Sequence, residues 1–184
     1  MGWTGTYRYW ANPKGADRIK AAIEQEGYYG ESDGRKWDVI DSALVGSTVY
    51  LAVHFTNVND GTDMVYGAVI LTGYRNGEFF TKGMSEDMGP YECDCPKRIL
   101  DKLSPTEHEF ALAWRKRCED KRKAKADDPL AKLPIGAKIR RKDTGAELVA
   151  YQHGKRKVWV DWYTRRYNTP AQLRRIGYEI ISTK

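Results

Sequence analysis

Cysteine is scarce in this chain of 184 residues: there are three, an odd number. That excludes a disulfide framework and points to a reducing, cytoplasmic setting. Histidine is equally scarce, also at three, so an inventory of acid–base or metal-binding groups starts almost empty. No apolar run approaches the ~20 residues that a membrane-spanning helix needs. The opening MGWTGTYRYW lacks the apolar core of a secretory signal and reads as a first strand. Missing too are the Gly-rich phosphate loop, the dinucleotide fingerprint G-x-G-x-x-G, the zinc-protease H-E-x-x-H and the nucleophile elbow G-x-S-x-G. These absences predict a protein that is not an enzyme, with no cofactor and no membrane association.

What the chain does have is cationic charge, unevenly spread. The net charge is +6, yet residues 1–118 carry 14 Lys and Arg against 17 Asp and Glu, whereas residues 135–184 carry 12 against 4. A basic segment attached to a slightly acidic one suggests a polyanionic partner for the basic part.

The pattern along the chain predicts an α+β protein in two parts. Residues 13–26 have Ala16, Ile19, Ala22 and Ile23 at helical spacing. GYYGESDGRK reads as a polar loop. WDVIDSALV, STVYLAVHFTN and DMVYGAVILTGYR follow, separated by turn-rich segments, and Asn76-Gly77 supplies a type I′ hairpin signal. The expectation is an antiparallel meander of three or four strands with one face packed by the first helix and later ones. In SPTEHEFALAWRKRC, Ser104 fits an N-cap, Pro105 the first helical position and Glu107 a capping box. Phe110, Ala111, Trp114 and Cys118 would be the packed face, with Arg115, Lys116 and Arg117 mostly outward. Residues 1–120 thus form an α+β domain and residues 121–134 a charged linker. Residues 135–184 form a small basic β-rich domain. Three hairpin strands, a short helix capped by Thr169 and Gln172, and a closing strand suggest an SH3-like barrel, with a two-layer sheet and helix as the fallback.

Cys93, Cys95, His108 and Cys118 are a possible Cys₃His zinc set. The spacing argues against it: Cys-x-Cys lacks the usual knuckle, and His108 and Cys118 stand ten residues apart on one helix, roughly 15 Å of rise. Burial of Cys95 and Cys118 as small apolar groups is the preferred reading, and no metal site is assigned. Glu86, Asp87, Glu92 and Asp94 do not follow the EF-hand order and read as a solvated acidic loop or a phosphate-mimicking surface. A metal-dependent nuclease built on Asp38, Asp41 and Glu86 is the remaining enzymatic possibility.

Gly83, Met84, Glu86, Met88, Gly89, Pro90, Cys95, Pro96, Trp114, Arg115 and Cys118, together with the Met-Gly-Trp opening, resemble the motifs of an uncharacterised family. Its members are encoded on bacteriophages, conjugative elements and gut-bacterial genomes. The resemblance covers most of residues 1–120 and implies an accessory protein of a mobile element, without an activity. Small proteins of that kind include inhibitors of host defence such as anti-CRISPR proteins.

The last fifty residues interleave cations with rings, as a single-stranded or backbone-tracking nucleic-acid surface requires. The expected contact residues are Lys138, Arg140, Lys142, Lys155, Arg156, Lys157, Trp159, Arg165, Arg166 and Arg174. On AKIRRKD, alternation puts Lys138, Arg140 and Lys142 on one face. In KVWVDW the same alternation makes one of Trp159 and Trp162 a core residue. No recognition-helix or finger motif is present, so sequence-specific readout is not expected. The leading expectation is a non-enzymatic mobile-element protein that binds DNA, RNA or a nucleoprotein complex through its C-terminal part. The alternative is an anti-defence inhibitor of a host CRISPR effector nuclease.

Overall fold

A computed structural model describes residues 4–8, 12–154 and 156–183, with side chains from 12 onward. The Met1-Gly2-Trp3 opening and Lys155 lie outside the described residues. The chain divides into two compact units, Met1–Arg122 and Lys123–Lys184. Antiparallel sheets and helices in both give an α+β protein. No helix among the described residues is long and apolar enough to cross a membrane.

The first unit is built on a six-stranded antiparallel sheet. Its strands are β1 (Thr4–Arg8), β2 (Gly30–Ser32), β3 (Arg35–Val45), β4 (Thr48–Asn57), β5 (Thr62–Arg75) and β6 (Glu78–Ser85), in the order β1-β6-β5-β4-β3-β2. The β5–β6 hairpin turns on Asn76 and Gly77, both at positive φ, as the type I′ signal predicts. The segment expected as a loop, GYYGESDGRK, instead folds into the β2–β3 hairpin, again on two positive-φ residues, Asp33 and Gly34. Asp-Gly is itself a hairpin signal. With β1 this raises the strand count to six, above the three or four expected.

Both faces of the sheet are covered, which corrects the one-sided packing expected. In β4, Val49, Leu51 and Val53 face a core with Ala22, Ile19 and Ile23 of α1 (Gly15–Glu26). Tyr50 and Ala52 point the other way, into a second core with Ile99 of α2 (Lys97–Leu100) and Trp114 and Cys118 of α3 (Glu109–Ala126). The signature was the unbroken apolar run of β4, since a strand buried on both faces has no reason to alternate. Gly67 of β5 lets α3 approach: a Cβ there would stand 2.9 Å from the Trp114 ring.

Helix α3 starts at Glu109, and the predicted Ser104 capping box does not form. The sheet explains why. Strand β6 ends at Ser85, opposite Ala68, so the stretch of β5 before Ala68 has lost its neighbour and its backbone groups need partners. Ser104 supplies them: its N–H donates to the Val65 carbonyl at 2.8 Å and its hydroxyl accepts from the Val65 N–H at 2.8 Å. Of the predicted packed face, Ala111, Trp114 and Cys118 are buried, whereas Phe110 is 54% exposed.

The second unit holds a five-stranded antiparallel sheet. Its strands are β7 (Lys138–Arg141), β8 (Glu147–His153), β9 (Arg156–Asp161), β10 (Arg166–Asn168) and β11 (Tyr178–Ser182), in the order β10-β9-β8-β7-β11. Helix α5 (Pro170–Ile176) carries the expected capping box: the Thr169 hydroxyl accepts from the Gln172 N–H, and the Gln172 side chain accepts from the Thr169 N–H. The core joins Ile139, Leu148, Ala150, Trp159 and Leu173 with Leu130 and Leu133. Residues 121–134, read from their charge as a linker, are therefore structured. They complete α3, form α4 (Pro129–Lys132) and place two leucines in this core.

Candidate nucleic-acid interface

Of the ten expected contact residues, the nine that are described separate by what they touch; Lys155 lies outside the described residues. Trp159 is fully buried, a correction: its strand position, opposite Asn168 and shared with the inward face of Ala150, makes it the core tryptophan. Lys157 is half-buried and holds chain: its ammonium donates to the Ala131 carbonyl at 2.7 Å and to that of Leu133. It thereby satisfies carbonyls at the end of α4, where a cation is favoured. Arg140 lies between Glu147 at 3.0 Å and Glu179 at 3.1 Å, its opposite numbers on β8 and β11. Glu147 leads the interactions that raise its pKa. Arg174 pairs at 2.6 Å with Asp128, whose other oxygen accepts from the Leu130 N–H to start α4. Lys138, Lys142, Arg156, Arg165 and Arg166 are exposed and make no ion pair among the described residues.

The rings that the surface does present are others. In an antiparallel pair, residues directly opposite share a face. Leu148 and Ala150 face the core, so Val149, Tyr151 and His153 face outward, and register puts Lys138, Val158, Val160, Arg156 and Tyr167 on that same side. Tyr151 and Trp162 meet edge to face with centroids 6.0 Å apart, and His153 and Tyr167 lie 5.4 Å apart. Trp162 is 58% and Tyr163 98% exposed. The turn holding them is fixed by Asp161, whose carboxylate accepts from the N–H groups of Tyr163 at 3.0 Å and Thr164 at 3.2 Å. Hydrogen bonds from Thr164 hold the Asp161 carboxyl below its usual range. Arg165 closes the turn at φ +53°. The Asp161 turn was the available signal for Trp162: a ring just past the strand's end escapes the core.

The acidic segment behaves differently from the solvated loop expected. Glu86 is 3% exposed. Its carboxylate accepts from Arg115 Nε at 2.6 Å and Nη2 at 2.7 Å, and from the Gly67 N–H at 3.0 Å. Arg115, expected outward, also donates to the Ser104 carbonyl at 2.8 Å. The pair thus closes the same open edge of β5 that Ser104 serves. Arg117 donates to the Pro90 carbonyl at 2.6 Å, Trp114 Nε1 to the Glu92 carbonyl at 2.8 Å, and Lys121 pairs with Asp94 at 2.8 Å. Trp114 and Arg115, with Arg117 and Lys121, therefore bind α3 to the 86–96 segment. Nothing in sequence spacing announces a pair 29 residues apart.

Cys95 and Cys118 are buried in one core, with Cys93 packed beside them. Burial pushes the Cys118 thiol up to about 12, and Cys95 rises for the same cause. Such thiols are protonated and inert. His108 lies elsewhere, 5.8 Å from the Phe110 ring. Asp38, Asp41 and Glu86 are not brought together as a metal site: Asp38 pairs with Lys36, Asp41 with Arg98 and Lys102, and Glu86 with Arg115. Among the described residues no group of three or more His, Cys, Asp or Glu could hold a metal ion. No protein-family model, no curated protein and no solved structure matches the chain.

Proposed function

We propose that the protein is a non-enzymatic accessory protein of a mobile element whose second unit binds single-stranded nucleic acid. The observation that carries this reading is the exposed ring set Tyr151, His153, Trp162 and Tyr167, with Lys138 and Arg156 on the same face and without ion-pair partners among the described residues. Rings offer stacking platforms to any base, and the cations follow the phosphates. Arg165 is exposed in the same turn as Tyr163, whereas register places Arg166, opposite Asp161, on the other side of the sheet from Tyr167. The unit is an SH3-like small barrel in this reading: a run of four antiparallel strands, a short capped helix and a closing strand that returns to pair with the first.

The test is a binding titration of the full chain with single-stranded and duplex DNA and RNA at two salt concentrations. Single strands are expected to bind more tightly than duplex, with affinity falling steeply as salt rises. No binding, or affinity indifferent to salt, overturns the reading. The inhibitor alternative relied on a free acidic loop, and two of its four carboxylates, Glu86 and Asp94, are already engaged by cations.

A further inference from the structure

Where β5 outruns β6 in the first unit, a cleft of about 420 Å³ opens, a size usual for small-ligand sites. Phe55, Met64 and Tyr66 form its apolar wall, and Ser85, Asp87 and His108 its polar rim. The wall continues onto the neighbouring strand. Trp37, opposite Phe55 on β3, packs on it with centroids 5.3 Å apart.

The polar chemistry of the cleft is one-sided. Among the described residues no Lys or Arg lines it. The nearby Arg115 is committed to Glu86, so that pair is closed as a source of charge in either sense. Asp87 is exposed and has no cation partner among the described residues; the Ser85 hydroxyl donates to one of its oxygens and orients it. Its charge reaches the ring wall: burial first, then Asp87, push the Tyr66 hydroxyl up to about 12. Two aromatic rings, a thioether and one carboxylate without a cation partner among the described residues, around a water-accessible hollow, suit a positive group with an apolar surface, since aromatic rings attract cations and desolvated ones most. Among the described lining residues, an anion would meet Asp87 with His108 alone able to offset it.

We propose that this cleft binds an organic cation, an alkylammonium or guanidinium group, seated against Phe55 and Tyr66 with its charge towards Asp87. The site is separate from the surface of the second unit and does not depend on its function. The test is a titration of the full chain with choline and with its uncharged isostere 3,3-dimethyl-1-butanol, followed by NMR at the Met64 methyl and the Trp37 indole. Choline is expected to give saturable shifts and the alcohol binding at least tenfold weaker. Asp87→Asn should weaken choline about tenfold and leave the alcohol unchanged; Asp87 is exposed, so the fold is not at stake. Tyr66→Leu should weaken choline while retaining the alcohol. A Gly-Arg-Gly amide is the third arm: tighter binding than choline assigns the site to a side chain of a protein partner, weaker binding to a small free cation. Equal binding of choline and the alcohol, or no saturable shift with any cation, overturns the proposal.

Discussion

In the first unit Glu86 and Arg115 lie side by side in the interior, forked together and bonded to β5, and Asp41, Asp94 and Asp101 each have a cation within reach. In the second, Lys138, Arg156, Arg165 and Arg166 stand in solvent without a carboxylate partner among the described residues, beside rings that no core claims. The contrast separates charge used as structure from charge left for a partner. A buried pair holds helix to sheet because breaking it strands a charge in low dielectric. An exposed cation contributes little to stability and keeps its full attraction for phosphate.

The largest way to break the comparison is to remove half of the buried pair. Glu86→Ala or Arg115→Ala should each cost about 3–5 kcal/mol, because the survivor is left unpaired; urea unfolding of the first unit measures it. If either variant unfolds like the parent, the pair does not serve the open edge of β5.

Next comes alkaline pH. Burial raises the pKa of Tyr28, Tyr50, Tyr66, Cys95 and Cys118, all in the first unit. Between the unfolded values and these raised ones, the native chain keeps protons that the unfolded chain has released. Stability should therefore be intact below about pH 8, under the cysteine pKa of unfolded chains, and fall as pH climbs towards 12. Unfolding midpoints at pH 8 and pH 10.5 check the sign. The thiols should also resist alkylation in the native state at pH 8.

A smaller effect sharpens the other side. Trp162→Ala should leave the unfolding midpoint nearly unchanged, as the ring is 58% exposed. It should nonetheless weaken single-strand binding by about 1–3 kcal/mol, the worth of one stacked base. Trp159→Phe, in the core, should do the reverse and affect stability. Smallest is Arg140→Ala: with Glu147 and Glu179 already neutralising the guanidinium, nucleic-acid affinity should move by less than about 0.5 kcal/mol, as for a surface change away from the site.

Local chemistry explains which parts of this were legible in sequence. Asn76-Gly77 and the Thr169–Gln172 box act within a few residues, and both formed as read. Asp33-Gly34 is equally local and was obscured by the glycines and charges around it. Ser104 had every mark of an N-cap, yet the missing neighbour of β5, an event in the sheet, claimed its N–H and hydroxyl instead. For the candidate site, composition located the basic segment. It could not tell Lys157, which holds α4, or Arg140 and Arg174, which face carboxylates, from Arg156, which faces solvent. Sign of charge is a property of sequence; its partner is a property of the fold.

The most direct measurement is the salt dependence of single-strand binding for the parent and for a Lys138→Ala, Lys142→Ala, Arg156→Ala triple variant. Each lost phosphate contact should reduce the slope of log affinity against log salt by roughly 0.7. The expected result is a slope shallower by about two in the triple variant, with an unchanged unfolding midpoint. An unchanged slope would contradict the assignment of the free cations of the second unit to nucleic acid.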